Sequence, residues 1–191
     1  MLVDLRGHGE ATGKTIYYGL KESRDLSQLL DGLAKQSQLA PPVAAIGESY
    51  GAALALRWET TDPRVGRVVA IAPYVVLSNA VVNICHDYAG LLPQVFIRAG
   101  LKQLPAVLGV ASADLDTTTV LARHPVPALF VTGTEDDVIP PSDVRKLFAE
   151  ALPGSQLIVV PGATHETVPY RFSELLPPVL AWLNTSELGG Q

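Results

Sequence analysis

Hydrophobic residues in this chain fall into two patterns, short, mainly apolar runs and sets spaced at three and four residues. The runs lie at 2–5, 43–46, 65–72, 126–132 and 157–160, and Asp4 and Arg67 are the charged residues within them. Such runs are typical of strands buried on both faces of a parallel sheet. The spaced sets predict amphipathic helices at about 18–36, 142–152 and 173–183. In the last helix, the spacing predicts five inward-facing residues: Leu175, Leu176, Val179, Leu180 and Leu183. Strands that alternate with helices favour an α/β fold with a mostly parallel sheet flanked by helices.

The segment 74–123 departs from this alternation. It reads as two helices near 78–88 and 93–108, interrupted by Gly90, Gly100 and Pro105. Its many apolar residues suggest a short helical cap inserted over one end of the sheet, although ordinary packing helices would give the same pattern. The final residues, 185–191, are expected to form a frayed tail.

Composition narrows the class of protein. The chain has 191 residues, enough for one domain over 1–191 with a sizeable core, and is 48% hydrophobic and 17% charged with mean hydropathy +0.25. Its net charge of −5 and the lack of a basic run argue against a nucleic-acid partner. Cys85 is the only cysteine, so an intrachain disulfide and a cysteine metal cluster are both excluded. No stretch is long and apolar enough to span a membrane. As written, the chain predicts a cytoplasmic protein; a longer parent chain with an export signal is the alternative.

One stretch, Val43 to Leu56, carries the strongest chemical signal. It reads VAAIGESYGAALAL, which is an apolar strand, a G-x-S-x-G turn and a run of small residues suited to a helix. This layout is a nucleophile elbow, with Ser49 at the apex of a strained turn. The tightness of that turn predicts that Gly47 and Gly51 must both lack side chains. An ordinary strand-to-helix turn is the competing interpretation.

Two further strand ends carry residues that complete a nucleophilic site. An acidic group, 135–137, follows the strand 126–132, and His165 follows the strand 157–160. Because the carboxyl ends of parallel strands meet at one edge of a sheet, these residues are expected to lie near Ser49. Serine, histidine and a carboxylate together support acyl transfer. The spacing alone leaves Glu135, Asp136 and Asp137 open as the acid.

Four motifs in chain order make the sequence resemble the α/β-hydrolase family over almost its whole length. They are Asp4-Leu5-Arg6-Gly7-His8-Gly9, the elbow Gly47–Gly51, Gly133–Pro140, and Pro161–His165. The third is similar to the family's G-x-x-D-x-V-I-P acid loop and thereby singles out Asp136. The resemblance implies an α/β-hydrolase fold with Ser49 as nucleophile, His165 as base and Asp136 as orienting acid. The residues Tyr74-Val75-Val76 and the short helical insert further resemble esterase-like and peptidase-like members.

The same resemblance exposes an incomplete oxyanion hole. One donor would be the backbone N–H of Tyr50, and the family's second donor lies in a loop after its third strand, which would precede Met1. Three family strands would also be absent, so we expect the 191 residues to be an N-terminally truncated form of a longer hydrolase. We further expect Leu2–Leu5 to pair beside Val43–Ile46, or a gap to remain there.

Three functional hypotheses follow. The first is a serine hydrolase that cleaves a carboxylic ester of a small-molecule acyl substrate, with no cofactor implied. The second is a peptidase or amidase with the same triad, for which a carboxylate pair facing the pocket would be favourable, with Glu48 or Asp87 as candidates. The third is a non-catalytic remnant. The oligomeric state is not predicted.

The remaining polar candidates are interpreted as structural: His8 as a loop-ordering residue, His86 and His124 as isolated side chains outside any metal site, and Cys85 as a packed thiol.

Overall fold

Residues 1–88 and 93–184 are described by a computed structural model of the chain. Its sheet has four parallel strands in the order β1-β2-β3-β4, and they are β1 (Val43–Glu48), β2 (Val65–Ile71), β3 (Ala128–Gly133) and β4 (Gln156–Val160). Both ends of each strand lie within two residues of the ends of a predicted strand. All three pairings are parallel, as the alternation of strands and helices predicted.

Helices connect and cover these strands. They are α1 (Glu22–Lys35), α2 (Tyr50–Thr61), α3 (Leu77–Tyr88), α4 (Gln94–Leu108), α5 (Thr117–Arg123), α6 (Pro141–Glu150) and α7 (Phe172–Asn184), with 3₁₀ turns at Ser112–Leu115 and Val168–Tyr170. Helix α2 packs against one face of the sheet, where the buried core includes Leu56, Val68 and Phe130. Helix α7 packs against the other face and covers Val69 and Leu129. The sheet is therefore a middle layer, buried on both faces along β3.

The inward face of α7 differs from the prediction. Leu176 and Leu180 are 53% and 48% exposed, whereas Trp182 is 2% exposed and packs on Val69 and Leu129. The five predicted residues span more than one face of a helix, and the bulkier indole takes the position over the sheet. Leu175 is buried as predicted.

Strand β1 has an open edge on the side away from β2 among the described residues. Leu2–Leu5 is not a strand, so that part of the prediction is wrong, and a groove of about 560 Å³ separates this segment from β1. The alternative that we stated, a gap beside Val43–Ile46, is what the structure shows. Ile46 is 58% exposed on β1, which pairs only with β2 among the described residues. The short N-terminal run has no described strand beside it, and a lone extended segment gains little from the ladder hydrogen bonds that stabilise strands.

The described parts of the segment 74–123 are mainly helical, with α3 and α4 close to the two predicted helices. Helix α4 has no buried residue, and Pro105 lies within it rather than ending it. The cap-like position of this segment, and one domain over 1–191, stay predictions. Gly90 and the expected tail 185–191 lie outside the described residues, as does the side chain of Asp87.

Candidate active site

The turn from β1 into α2 holds Ser49 in a strained backbone conformation. Its φ is 50° and its ψ is −111°, a region that residues with a side chain rarely adopt. The Ser49 N–H donates to the carbonyl of Ile71 at the end of β2 (2.8 Å), and the Ser49 carbonyl accepts from Ala53 N–H (3.2 Å) in the first turn of α2. The serine is therefore held by a neighbouring strand and by the helix that begins beneath it, with its side chain beyond the carboxyl end of the sheet.

The two glycines of the elbow do not play equivalent parts. A Cβ on Gly47 would lie within 3 Å of the backbone of Gly51 and Ala52, so Gly47 must lack a side chain, as predicted. A Cβ on Gly51 would meet no atom within 4 Å. The prediction that Gly51 is required by local crowding is therefore wrong for the described structure, because Gly51 faces the groove beside β1.

The acid loop and the histidine loop are joined to each other by backbone hydrogen bonds. Glu135 N–H donates to the carbonyl of Ala163 (3.0 Å), and Thr134 N–H donates to the carbonyl of Val160 (3.0 Å). Gly133 lies where the loops touch, since a Cβ there would approach the Ala163 oxygen to 2.1 Å. The absence of a side chain at Gly133 lets the two loops come close enough for their functional residues to meet.

Three predicted site residues meet in one hydrogen-bonded chain. Ser49 Oγ lies 3.0 Å from His165 Nε2, and His165 Nδ1 lies 2.9 Å from Asp136 Oδ2. The second Asp136 oxygen accepts from Ile139 N–H (2.6 Å), which fixes the carboxylate plane. Because the ionised carboxylate of Asp136 can only accept a hydrogen bond, we place the ring proton of His165 on Nδ1. The other ring nitrogen, Nε2, is then free to accept the serine proton. The arrangement can therefore deprotonate Ser49 as it attacks an electrophilic carbon.

The acid that sequence spacing left open is resolved by position. Asp136 is 2% exposed and reaches the imidazole, whereas Glu135 and Asp137 are exposed. The loop turns one of three consecutive acids inward and leaves the others in water. The sequence alone could choose among them only through the resemblance of the loop to a known motif.

The imidazole is surrounded by carboxylates that favour its protonated form. Burial of the His165 ring opposes protonation, but the hydrogen bond and charge of Asp136, helped by Glu166 and Glu48, outweigh it and raise the pKa of His165. Partial burial in turn raises the pKa of Glu48, which the charge of His165 counteracts. Glu48 thus acts on the imidazole of His165 through its charge.

The side chain of Tyr50, the residue whose N–H is the candidate oxyanion donor, lies in an aromatic cluster. The ring of His8 stacks on it at 5.8 Å, and the ring of Tyr18 meets it edge-on at 6.2 Å. The loop carrying Tyr18 is held by Glu22, a fully buried carboxylate that accepts from Tyr17 N–H (2.7 Å) and Gly19 N–H (3.0 Å). Sequence reasoning missed Glu22, because an acid in the first turn of a helix is ordinarily exposed.

Other candidate sites are not assembled. Within residues 1–88 and 93–184, no group of three or more histidine, cysteine or acidic side chains is placed to hold a metal ion. His8 contacts its own loop through the Arg6 carbonyl (3.2 Å), in keeping with its predicted ordering role. Among the helices of the described part, none combines the length and apolar character needed to cross a membrane.

Comparison with known proteins matches this geometry to a family. The model of the alpha/beta hydrolase family matches residues 1–175. The uncharacterized protein Rv2307c of Mycobacterium tuberculosis is 30% identical over 166 residues, which cover 86% of this chain and 52% of that protein. The alpha/beta hydrolase domain-containing protein WAV2 of Arabidopsis thaliana is 27% identical over 156 residues, which cover 78% of this chain and 47% of that protein. The chain thus spans about half the length of the curated relatives it matches.

A solved structure agrees at the level of the fold. The esterase Pf2001 of Pyrococcus furiosus superposes with a TM-score of 0.75 at 21% identity, and the match covers 94% of this chain and 68% of the esterase. A parallel sheet with a serine elbow, an acid loop and a histidine loop at its carboxyl edge defines a class of α/β proteins. The chain belongs to the alpha/beta hydrolase family.

Proposed function

We propose that this protein is a serine hydrolase that cleaves a carboxylic ester of a small acyl substrate. The observation that carries the proposal is the unbroken chain from Ser49 through His165 to Asp136, with heavy-atom distances of 3.0 and 2.9 Å. Both distances lie within the range for direct proton transfer. The strained backbone at Ser49 and the contact between the acid and histidine loops support it, because they place all three side chains before any substrate arrives.

The reaction follows from the atoms in this chain. Ser49 Oγ attacks the ester carbonyl carbon while its proton moves to His165 Nε2, and the buried Asp136 stabilises the resulting imidazolium. The carbonyl oxygen becomes an oxyanion facing the Tyr50 N–H. Collapse of this intermediate breaks the bond to the alcohol oxygen, which takes the proton from Nε2 and leaves an acyl group on Ser49. A water molecule then gives a proton to Nε2 and attacks the acyl carbon. The bond from that carbon to Ser49 Oγ breaks as Nε2 returns the proton to the serine oxygen, which releases the carboxylic acid.

The open edge of β1 bears on how fast this reaction runs. Ser49 follows β1 directly, and a second oxyanion donor would come from a segment beside that edge, where the described residues form a groove rather than a strand. Loss of one oxyanion donor typically costs about 10²–10³ in turnover. We therefore expect a chain relying on Tyr50 alone to acylate slowly. This groove is also the observation that favours a non-catalytic form as the second candidate.

The peptidase alternative has less support from the site. The candidates for the carboxylate pair that would favour it are Glu48 and Asp87, and of these only Glu48 belongs to the described side chains. Its carboxylate influences His165, as the raised pKa of the imidazole reflects. Amide cleavage would also require His165 to protonate a poorer leaving group than the alcohol of an ester. We therefore favour ester cleavage for this triad.

A fluorophosphonate probe tests the proposal, because it captures an activated serine without needing a particular substrate. We expect labelling of the full chain, its loss in Ser49→Ala, and its retention in the matched control Ser142→Ala, an exposed position at the start of α6. Turnover of p-nitrophenyl acetate against the corresponding anilide then separates esterase from amidase. Folded protein that resists labelling at high probe concentration would leave the non-catalytic candidate standing and overturn the esterase.

A further inference from the structure

A second cavity, separate from the catalytic residues, lies within the helical segment 74–123. It encloses about 320 Å³ between the start of α3, the helix α4 and the 3₁₀ turn at Ser112–Leu115. None of Ser49, Asp136 or His165 lines it. Its volume is at the lower end of the range for small-molecule sites, about 300–1,000 Å³, so it suits one short chain and not a branched or two-chain lipid.

The lining combines an aliphatic wall with two cations. Most of the wall is formed by hydrocarbon side chains, among them Val76, Leu77, Leu101, Leu104 and Leu115. Arg98 and Lys102 stand one turn apart on α4, and with Leu101 and Pro105 they form one stripe along the helix, at spacings of three, four and seven residues. An apolar wall bordered by positive charge matches a molecule with a hydrocarbon chain and an anionic head.

Two described acids in the neighbouring 3₁₀ turn and at the start of α5 have partners other than these cations. Asp114, on the 3₁₀ turn of the cavity wall, lies 3.9 Å from Arg123, and Asp116 accepts the Thr119 N–H at the start of α5. Neither Arg98 nor Lys102 forms an ion pair with a described residue. The protein has a net charge of −5, but these two side chains make the surface beside the apolar wall locally positive.

We infer that this cavity binds a single-chain amphiphilic carboxylate, its hydrocarbon chain against Leu101, Leu104 and Leu115 and its carboxylate on Arg98 and Lys102. Arginine and lysine side chains can both donate charge-assisted hydrogen bonds to a carboxylate, and the arginine fork can do so through two parallel bonds. Contact with the aliphatic wall buries the hydrocarbon chain of the ligand away from water, which favours binding. This site is independent of acyl transfer on Ser49.

The test is a calorimetric titration of the full chain with hexanoate, octanoate and decanoate below their micelle concentrations. We expect one site per chain, with Kd falling about fourfold for each added methylene, as burial of hydrocarbon implies. Octan-1-ol and octyltrimethylammonium, which keep the chain but lack the carboxylate, should bind at least tenfold more weakly than octanoate. Ser49→Ala should bind octanoate as the native chain does, which separates this result from the fate of the proposed esterase.

Matched variants locate the site. Arg98→Gln with Lys102→Gln should weaken octanoate at least tenfold, whereas Lys35→Gln with Arg145→Gln, the same loss of charge at exposed positions elsewhere, should not. Leu101→Trp should fill the cavity and abolish binding, whereas Val107→Trp, on the exposed outer side of α4, should leave it intact.

Three results would each overturn the inference: equal binding of octanoate and octan-1-ol, equal effects of the two charge variants, or no binding by protein shown to be folded. Sedimentation with phosphatidylglycerol vesicles tests whether the two cations bind the anionic headgroups of a lipid surface instead. If Arg98 and Lys102 govern vesicle binding but not octanoate binding, the cations serve a lipid surface and the cavity assignment is wrong.

Discussion

Substitution of Gly133 by alanine tests how the acid and histidine loops are brought together. The new Cβ would lie 2.1 Å from the Ala163 oxygen, whereas real Cβ contacts essentially never fall below 3.0 Å. The two loops must therefore separate by about 0.9 Å, the difference between these distances. Ala163 is two residues from His165, and Gly133 is three from Asp136, so this displacement falls on the bond between the base and its acid.

The substitution is expected to lower both the catalytic rate and the free energy of unfolding. A misplacement of about 1 Å in a catalytic constellation can lower the rate about 10²-fold. Overpacking of a close contact costs about 1–3 kcal/mol of unfolding free energy, which corresponds to about 2–12 °C in Tm for a domain of this size. We expect kcat/KM for p-nitrophenyl acetate to fall about 10²-fold at a temperature where circular dichroism shows the variant folded.

Gly32→Ala in α1 is the matched control, because a Cβ there meets no atom within 4 Å. It should retain activity and gain slightly in stability, since alanine favours a helix over glycine by about 1 kcal/mol. The reasoning is refuted if Gly133→Ala keeps kcat/KM within about twofold of Gly32→Ala. In that case the loop contact would not be what positions the base against its acid.

Three further substitutions probe the charges. Asp136→Asn should lower kcat by about 10⁴-fold with little change in KM, because the amide no longer stabilises the imidazolium; an effect below tenfold would contradict its assignment as the acid. Glu48→Gln removes a negative charge that helps to raise the pKa of His165, so the ascending limb of the profile of kcat/KM against pH should move to lower pH, and a shift to higher pH would oppose this account. Burial raises the pKa of Glu59 to about 8, above that of the unfolded chain, so the folded state holds a proton that the unfolded state releases. Unfolding free energy should therefore fall as pH rises from about 4.5 to 8, by on the order of a few kcal/mol, and Glu59→Gln should remove that dependence in thermal melts; an unchanged dependence would exclude Glu59 as its source.

The strands show why much of the fold could be predicted. Strands β1 to β4 each begin and end near a mainly apolar run, because a parallel sheet covered by helices on both faces leaves few positions that favour polar residues. The place of the candidate site could be predicted in the same way, since Ser49 and His165 each follow such a run. Parallel strands carry residues at their carboxyl ends to one edge, whatever lies between them in the chain.

The predictions that failed concern partners and orientation. Leu2–Leu5 has the same apolar character as the strands, but a run becomes a strand only where another strand accepts its hydrogen bonds. Leu176 and Leu180 fit a helical repeat as well as Leu175 does, yet they lie outward because Trp182 takes the surface over the sheet. Glu22 gave no usable signal, since its partners are backbone N–H groups that only the folded loop presents.

The sequence by itself determined the alternation of strands and helices, the turn at Ser49 and the position of His165 after a strand, because these depend on local periodicity and on which residue follows each strand. Only the tertiary structure decided the distances that join Ser49, His165 and Asp136, and that Gly133 rather than Gly51 has a close neighbour. Such choices depend on distances between segments far apart in the chain. A local pattern fixes which side chains are available, and packing fixes which of them touch.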